Sequence, residues 1–165
     1  MHHLWFLFRN VITQKAPTFH LSNAKSRSRT KVTFSIKFWT ASLLCFNIFA
    51  STLTNGFYDS NKKKKVPEDI FNIFTSVSLA YWFMDDSFME KTSFVLCTDS
   101  FSINDVNRLR TMLKMKFGLE NSLFITTNKF PRIRILSASH TLFIKTIEPY
   151  LLPCFYYKIY KYINI

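Results

Sequence analysis

The chain has 165 residues, of which 48% are hydrophobic and 18% aromatic. This content is enough to bury one core or two small ones, which excludes an intrinsically disordered protein. The 22 Lys and Arg residues outnumber the 10 acidic residues, so the net charge is +12 and favours a nucleic acid or an anionic membrane surface as partner. Cys45, Cys97 and Cys154 include no close pair, which argues against a zinc site or a disulfide framework.

The N-terminal region is basic and contains no acidic residue before Asp59. Such a composition is compatible with an organellar transit peptide. Strict alternation over residues 31–38 instead predicts a β-strand with one apolar and one polar, partly basic face. A second strand is predicted at residues 18–22.

An uncharged window at residues 38–58 raises the question of a transmembrane span. Its Ser, Thr and Asn residues are too many for a lipid-facing span of about 20 apolar residues. We therefore predict an amphipathic core helix over residues 42–53 and no membrane partner.

A long helix is predicted to end at the adjacent acidic residues Asp85 and Asp86. Pro67 suits the first turn of a helix, and the two acidic residues that follow it suit the positive end of the helix dipole. We therefore predict a single helix over residues 67–86.

The following segments predict strands around a second helix. β-branched and aromatic residues predict a strand at residues 92–98, and one short strand is expected between it and the acidic pair. Ser102 suits the start of a helix and Gly118 its end. Further predicted elements are strands at residues 123–127 and around Arg132, and a last helix over residues 139–151. The predicted order is α-β-β-α-β-β-α.

One pattern occurs twice in the chain. Residues 36–42 (IKFWTAS) are similar to residues 133–139 (IRILSAS), at an offset of 97 residues (133 − 36). In both copies a basic alternating strand leads into a small turn and a helix. This repetition predicts a duplicated domain, with residues 1–60 in the first unit and residues 61–165 in the second.

The most distinctive segment is residues 79–87, LAYWFMDDS. A carboxylate at the end of an apolar helix can bind a divalent metal. The segment resembles the signature of the LAGLIDADG homing endonucleases, particularly the organellar intron-encoded branch with the pattern LAxWxMDDG. Residues 98–101 (TDSF) are similar to the family's TQSF, and residues 148–158 are similar to its C-terminal PYxxPSMxYK.

The resemblance implies an α+β fold of αββαββα units, packed through their motif helices, whose antiparallel sheets form a saddle over DNA. Subtracting the offset from the motif position places the first unit's motif before residue 1. We therefore expect an N-terminally truncated protein with about half of the first unit and a complete second one. Residues 4–12 are then the remnant of the first unit's middle helix. We expect little or no cleavage from this chain alone, and recovery when a first unit with its own motif is supplied.

The resemblance also implies hydrolysis of double-stranded DNA at an intron insertion site, with Mg²⁺ or Mn²⁺ as cofactor. Asp86 is then the catalytic, metal-binding residue, and Asp85 and Asp99 are supporting groups beside it. Ser87 replaces the family's glycine, and we expect its side chain to cost conformational freedom and space. Asp99 replaces a glutamine and would either repel DNA or add a cation ligand.

A basic surface is predicted from the alternating Lys and Arg residues of the matched strands. A two-stranded ribbon fits the major groove, and arginine binds guanine edges bidentately, although these side chains could instead only keep a sheet soluble. Lys158, at the Lys of the family's YK pair, contacts phosphate or flanks the core. The candidate DNA-binding residues are Lys31, Lys37, Lys129, Arg132, Arg134 and Lys158.

Other functions and partners follow from the same observations. A non-catalytic nucleic-acid-binding protein, such as an intron maturase or a degenerate intron reading frame, would bind RNA or DNA without cutting. A small basic membrane-associated protein is a further alternative. The motif helix lacks its twin, so we expect self-association through its apolar face. The resemblance and the Phe-, Ile-, Lys- and Asn-rich composition suggest an organelle-encoded protein of the mitochondrion, or alternatively of the chloroplast.

Overall fold

The computed structural model describes residues 2–13, 15–25, 30–44, 56–59 and 61–163. The chain forms two compact units, Met1–Asn47 and Ile48–Ile165, which we describe separately. None of the helices in the described ranges has the length and apolar character needed to cross a bilayer. The predicted helix over residues 42–53 falls mainly outside these ranges.

The first unit contains a helix followed by a β-hairpin. Helix α1 spans His2–Phe8 and continues as a 3-10 turn over Arg9–Val11. Strands β1 (Thr18–Lys25) and β2 (Thr30–Lys37) pair antiparallel along their whole length. The helix and both strands agree with the predictions, because the alternation of apolar and polar residues matches the period of a strand.

The second unit has the predicted order of helices and strands around one antiparallel sheet. Among the residues that the structure describes, helices α2 (Ile70–Ile73) and α6 (Tyr160–Ile163) lie outside this order. The elements within it are α3 (Ser76–Asp86), β3 (Ser87–Glu90), β4 (Ser93–Cys97), α4 (Ile103–Phe117), β5 (Asn121–Ile125), β6 (Pro131–Ile135) and α5 (His140–Ile147). This α+β arrangement confirms the predicted fold class.

The sheet of the second unit has the strand order β3-β4-β6-β5. In this register Arg134 lies opposite Val95 on one side and Ser122 on the other, and Arg132 lies opposite Cys97. Residues directly opposite each other share a face of the sheet. We call the face that carries both arginines the outer face. The intervening residues of β6 are buried on the other face, which the helices cover.

The core beneath the sheet is aromatic. Phe83 of α3 lies 5.7 Å from Phe94 and 5.4 Å from Phe143, between ring centroids, and both contacts are nearly perpendicular. All three side chains are fully buried. Edge-to-face packing of this kind adds to the stabilisation from burial. The motif helix is thus anchored to β4 and α5 through one side chain.

The prediction of one helix over residues 67–86 is wrong. Helix α2 ends at Ile73, and Phe74 has an extended backbone with φ −79° and ψ 126°. Thr75 then starts α3 through two reciprocal hydrogen bonds with Ser78, each 3.2 Å long. This local capping box favours a new helix over continuation of the first one, because it satisfies N–H groups that would otherwise be unpaired.

Other predicted boundaries differ less from the structure. The Ser102 hydroxyl accepts a hydrogen bond from the Asp105 amide at 3.2 Å, and Gly118 ends α4 with φ +67°, both as predicted. The last predicted helix, residues 139–151, is shorter in the structure because α5 ends at Ile147 and a 3-10 turn over Glu148–Tyr150 follows. Pro149 lacks the N–H that would continue the helix.

We expect Phe83→Ala to lower the free energy of unfolding by about 3–5 kcal/mol, because it leaves a cavity between three elements. Val77→Ala is the matched control on the same helix, since Val77 is 42% exposed and its truncation costs about 0.5 kcal/mol or less. Urea unfolding of the two variants measures both values. Equal losses in the two variants would contradict the assignment of this core.

Candidate active site and nucleic-acid interface

Two adjacent carboxylates are exposed at the end of the motif helix α3. Asp85 and Asp86 form its last positions, and strand β3 begins at the next residue. Both side chains are exposed, and their negative charges interact with the ammonium of Lys158. The negative end of the helix dipole also lies here and favours a cation. These oxygens are therefore available as ligands.

Lys158 holds the end of the motif helix. Its ammonium donates hydrogen bonds to the carbonyl oxygens of Phe83 at 3.0 Å, Met84 at 2.7 Å and Ser87 at 2.8 Å. An ammonium has three donors, and all three are used. Burial lowers the pKa of Lys158, and the nearby charge of Asp85 partly opposes this shift. The predicted DNA-binding lysine thus acts on the backbone.

Ser87 occupies its position without backbone strain. Its φ of −139° and ψ of 157° are extended values that any residue adopts, so the expected conformational cost is wrong. Its hydroxyl donates a hydrogen bond to the Trp82 carbonyl at 3.1 Å. The serine therefore satisfies one of the carbonyls that a helix end leaves unpaired.

Trp82 positions the motif helix against the sheet. Its indole Nε1 donates a hydrogen bond to the Cys97 carbonyl at the end of β4, at 3.1 Å. The Cys97 side chain is half-buried on the outer face, and burial raises the pKa of its thiol. A thiol with a raised pKa is a poor nucleophile at neutral pH. Trp82 belongs to the motif that the sequence analysis identified, whereas the sequence did not mark Cys97 as part of this site.

Asp99 and Arg132 form a bidentate pair near the end of the motif helix. Arg132 donates from Nε and from a terminal nitrogen to the two carboxylate oxygens, each at 2.7 Å. The hydrogen bond from Arg132 lowers the pKa of Asp99, although burial partly opposes it. The carboxylate introduced in place of the family's glutamine is therefore balanced by a residue that was expected to bind DNA.

Arg134 is paired in a similar way on the same face. A terminal nitrogen donates to the Glu90 carboxylate at 2.7 Å, and the guanidinium lies 4.5 Å from the centre of the Phe124 ring. Arg132 lies 5.4 Å from the centre of the Phe88 ring. The outer face thus carries two guanidinium groups, each beside an aromatic ring and an acidic partner. The acidic partners were not predicted, because they lie far away in the sequence.

The other predicted basic residues lie at chain turns or in the first unit. Lys129 is exposed between β5 and β6 with φ +63°. Lys37 is exposed at the end of β2, opposite Thr18. Lys31 lies in β2, and its side chain is outside the described part of the structure.

Among the described residues, His, Cys, Asp and Glu side chains nowhere form a cluster of three or more that could hold a metal ion. Mg²⁺ is commonly held by one or two carboxylates together with substrate phosphates and water, rather than by an all-protein cage. The exposed carboxylates of Asp85 and Asp86 fit that donor set. A complete site needs oxygen ligands from outside this unit.

We expect Lys158→Met to lower the free energy of unfolding by about 1–3 kcal/mol, because it leaves buried carbonyl groups without a donor. Lys145→Met is the control, since this lysine is exposed on α5. Urea unfolding at neutral pH measures the difference. A loss no larger than that of the control would show that the three hydrogen bonds do not stabilise the helix end.

Comparison with known proteins identifies similar sequences. Residues 1–143 match the sequence model of the LAGLIDADG DNA endonuclease family. The chain is 32% identical over 104 residues to cytochrome b mRNA maturase bI2 of Debaryomyces hansenii. This alignment covers 62% of this chain and 39% of that protein. It is 37% identical over 113 residues to "Probable intron-encoded endonuclease 1" of Wickerhamomyces canadensis, which covers 63% of this chain and 48% of the relative. The chain thus spans less than half the length of either relative.

A similar solved structure is the homing endonuclease I-WcaI bound to its DNA recognition sequence. The match has a TM-score of 0.79 and 26% sequence identity, and it covers 96% of this chain and 69% of that one. The fold therefore agrees with the sequence match, which itself extends over most of the chain. The chain belongs to the LAGLIDADG DNA endonuclease family.

Proposed function

We propose that this protein is a homing endonuclease that cuts double-stranded DNA at an intron insertion site. The observation that carries the proposal is the pair of exposed carboxylates at the end of the motif helix. Its family membership and the neighbouring sheet face with two arginines support the same function. The reaction is hydrolysis of a phosphodiester bond.

The cofactor in this proposal is Mg²⁺, with Mn²⁺ as the alternative. Asp86 is the residue that would hold it, and Asp85 is a supporting group beside it. When bound, the cation supplies an activated water and neutralises charge on the leaving oxygen. The protein's own contribution is the position of Asp86, which Lys158 and Trp82 maintain through the backbone of α3 and β4.

A second motif helix completes the site in this proposal and is supplied by a first unit that carries its own motif. Self-association of this chain through its apolar surface is proposed as well. One motif at residues 79–87 offers one Asp86. An apolar cleft of about 340 Å³ lies beside α3. Ile73, which lines it, and Val77 on α3 are 46% and 42% exposed. Exposed apolar groups of this kind favour association with another helix.

The outer face of the sheet is the proposed DNA interface. Arg132 and Arg134 would exchange their acidic partners for DNA, and Lys129 at the adjacent hairpin would bind a phosphate. Asp99 then becomes a group that either approaches the cation or holds Arg132. Lys31 and Lys37 are the proposed DNA contacts of the first unit. Lys158 contributes its positive charge and its hydrogen bonds to the backbone of α3.

The proposed location is the mitochondrion, with the chloroplast as the alternative. Relatives of this chain are named as intron-encoded endonucleases or as a cytochrome b mRNA maturase. Encoding within an organellar intron agrees with these names and with the family branch that the motif resembles.

A second candidate function is RNA binding in intron splicing. It is favoured by the similarity to cytochrome b mRNA maturase bI2, which is 32% identical over 104 residues. Such a protein would bind the intron RNA and would not need the carboxylates of the motif helix. Cleavage of DNA and binding of RNA therefore separate the two candidates in independent assays.

We expect this chain, joined to a first unit with its own motif, to cleave a randomised duplex DNA library in the presence of Mg²⁺. Asp86→Asn should lower that cleavage by at least about a hundredfold, since metal-ion charge stabilisation contributes several kcal/mol to the barrier. Binding of DNA should persist. The chain alone should cleave little or not at all, because each site needs two motif helices. Asp69→Asn is the control, because Asp69 is an exposed aspartate outside the motif helix. Undiminished cleavage by Asp86→Asn would refute the assigned role.

We expect Arg132→Ala combined with Arg134→Ala to weaken duplex DNA binding and to lower the steepness of its salt dependence by about two. Glu90→Gln should act in the opposite direction, because it releases Arg134 and removes a negative charge. The control is Lys63→Ala with Lys64→Ala, which removes the same charge at exposed positions. Titrations at several salt concentrations measure the slopes. Identical slopes for both double variants would exclude the outer face as the interface.

A further inference from the structure

Helix α4 carries a polar stripe that has no role in the hydrophobic core. Its members recur at intervals of three and four residues and so lie on one side of the helix. They are Asn107, Arg110, Thr111 and Lys114. The residues that α4 buries are Val106, Leu109, Met112 and Leu113. The stripe therefore faces away from the packed side of α4.

The stripe forms one wall of a polar cleft of about 270 Å³. Glu120 and Asn121, at the start of the edge strand β5, form the other wall. Asn121 lies opposite the buried Ile135, so it belongs to the helix-covered face of the sheet. The next residue, Ser122, lies opposite Arg134 on the outer face. The cleft and the proposed DNA interface are thus on different sides of the sheet.

Arg110 is held rigidly in this cleft. Its Nε donates to the Asn121 side-chain oxygen at 3.1 Å, and one terminal nitrogen donates to the Asn107 side-chain oxygen at 3.0 Å. The other terminal nitrogen donates to the Asn121 carbonyl at 3.4 Å. The Asn121 amide in turn donates to the carbonyls of Arg110 and Leu119, at 3.1 and 2.8 Å. The guanidinium is therefore fixed before any ligand arrives.

The remaining donors of Arg110 suit a phosphate group. A guanidinium has five N–H donors, and the three hydrogen bonds leave one N–H on each terminal nitrogen. Two such N–H groups form a fork that matches two oxygens of a phosphate. Neighbouring donors are the Thr111 hydroxyl and the Lys114 ammonium, which line the same cleft.

The charge of the cleft favours an anion that can displace a weak partner. Lys114 is paired with Glu120 at 3.0 Å, and their side chains are 58% and 50% exposed. An ion pair this exposed contributes little stability and exchanges readily. Arg110 has no acidic partner within the described residues. A phosphate in the cleft would thus gain the fork of Arg110 and the ammonium of Lys114.

We propose that the cleft formed by Arg110, Lys114 and Asn121 binds a backbone phosphate of RNA. The inference rests on the second candidate function, RNA binding, and assigns a surface to it. RNA is favoured over DNA as the ligand of the cleft. The proposed DNA interface is the outer face, so duplex DNA bound there would lie on the opposite side of the sheet from the cleft. The open cleft beside an exposed helix face suits a phosphate within a long chain, whose backbone must pass across the surface.

The test compares two ligands and two matched double variants. The ligands are an RNA hairpin and a DNA duplex with the same stem sequence, each titrated against the full chain at several salt concentrations. Arg110→Gln with Lys114→Gln removes two charges from the cleft, and Lys63→Gln with Lys64→Gln removes two charges elsewhere. We expect the cleft variant to bind the hairpin at least about tenfold more weakly, with a salt slope reduced by about one to two. Its affinity for the DNA duplex should stay within about twofold of the wild type.

A single variant distinguishes a direct loss of RNA binding from misfolding. Lys114→Gln leaves the hydrogen bonds of Arg110 intact and should reduce hairpin affinity by about threefold or more, with an unchanged urea unfolding midpoint. Hairpin binding that is equally affected by both double variants would overturn the cleft but leave RNA binding in place. Parallel loss of DNA binding in the cleft variant would assign the cleft to DNA and overturn the proposal. No hairpin binding by the wild type would refute both the cleft and the second candidate function.

Discussion

The contact between Lys158 and the end of the motif helix is the constraint on which the candidate active site depends. A helix ends with carbonyl groups that have no intrahelical partner, and here β3 begins immediately after the last turn. The ammonium satisfies three carbonyls, and the Ser87 hydroxyl satisfies that of Trp82. Because the backbone is satisfied from within the protein, the carboxylates of Asp85 and Asp86 are left exposed and available to a cation.

Charge balance distinguishes the outer face of the sheet from the cleft beside α4. On the outer face, Arg132 and Arg134 already have carboxylate partners at 2.7 Å. In the proposed interface, binding of DNA would exchange one anion for another, so the acidic partners would select against weak or badly placed ligands. Arg110 instead is held by amide groups that leave its charge uncompensated. The arginines of the two surfaces therefore differ in their partners, which are carboxylates on the outer face and amide groups in the cleft.

The two proposed nucleic-acid-binding surfaces lie on opposite sides of one sheet, and this placement relates the two candidate functions. The family includes relatives named as endonucleases and as maturases. Separate surfaces would let DNA and RNA bind without competing for the same arginines. Changes at the carboxylate site could then alter cleavage without affecting an RNA-binding surface. This arrangement gives a physical reason why one fold could perform either role.

Local patterns in the sequence were sufficient for most of the fold. Alternation predicted β2 and β6, and the helix caps at Ser102 and Gly118 were predicted because their hydrogen bonds involve close neighbours. The break between α2 and α3 was missed, although its cap at Thr75 is also local. Pro67 and the acidic residues after it gave a competing signal for an earlier start.

The sequence by itself determined the order of elements, the motif and the candidate metal ligand Asp86. Tertiary structure alone decided which partners the charged groups have. Asp99 meets Arg132 over 33 residues of sequence, and Lys158 meets Met84 over 74. These partners depend on strand register and on helix packing, which bring distant side chains within hydrogen-bonding distance. A spacing pattern contains no such information, so the basic residues predicted as equivalent DNA contacts have different partners in the folded chain.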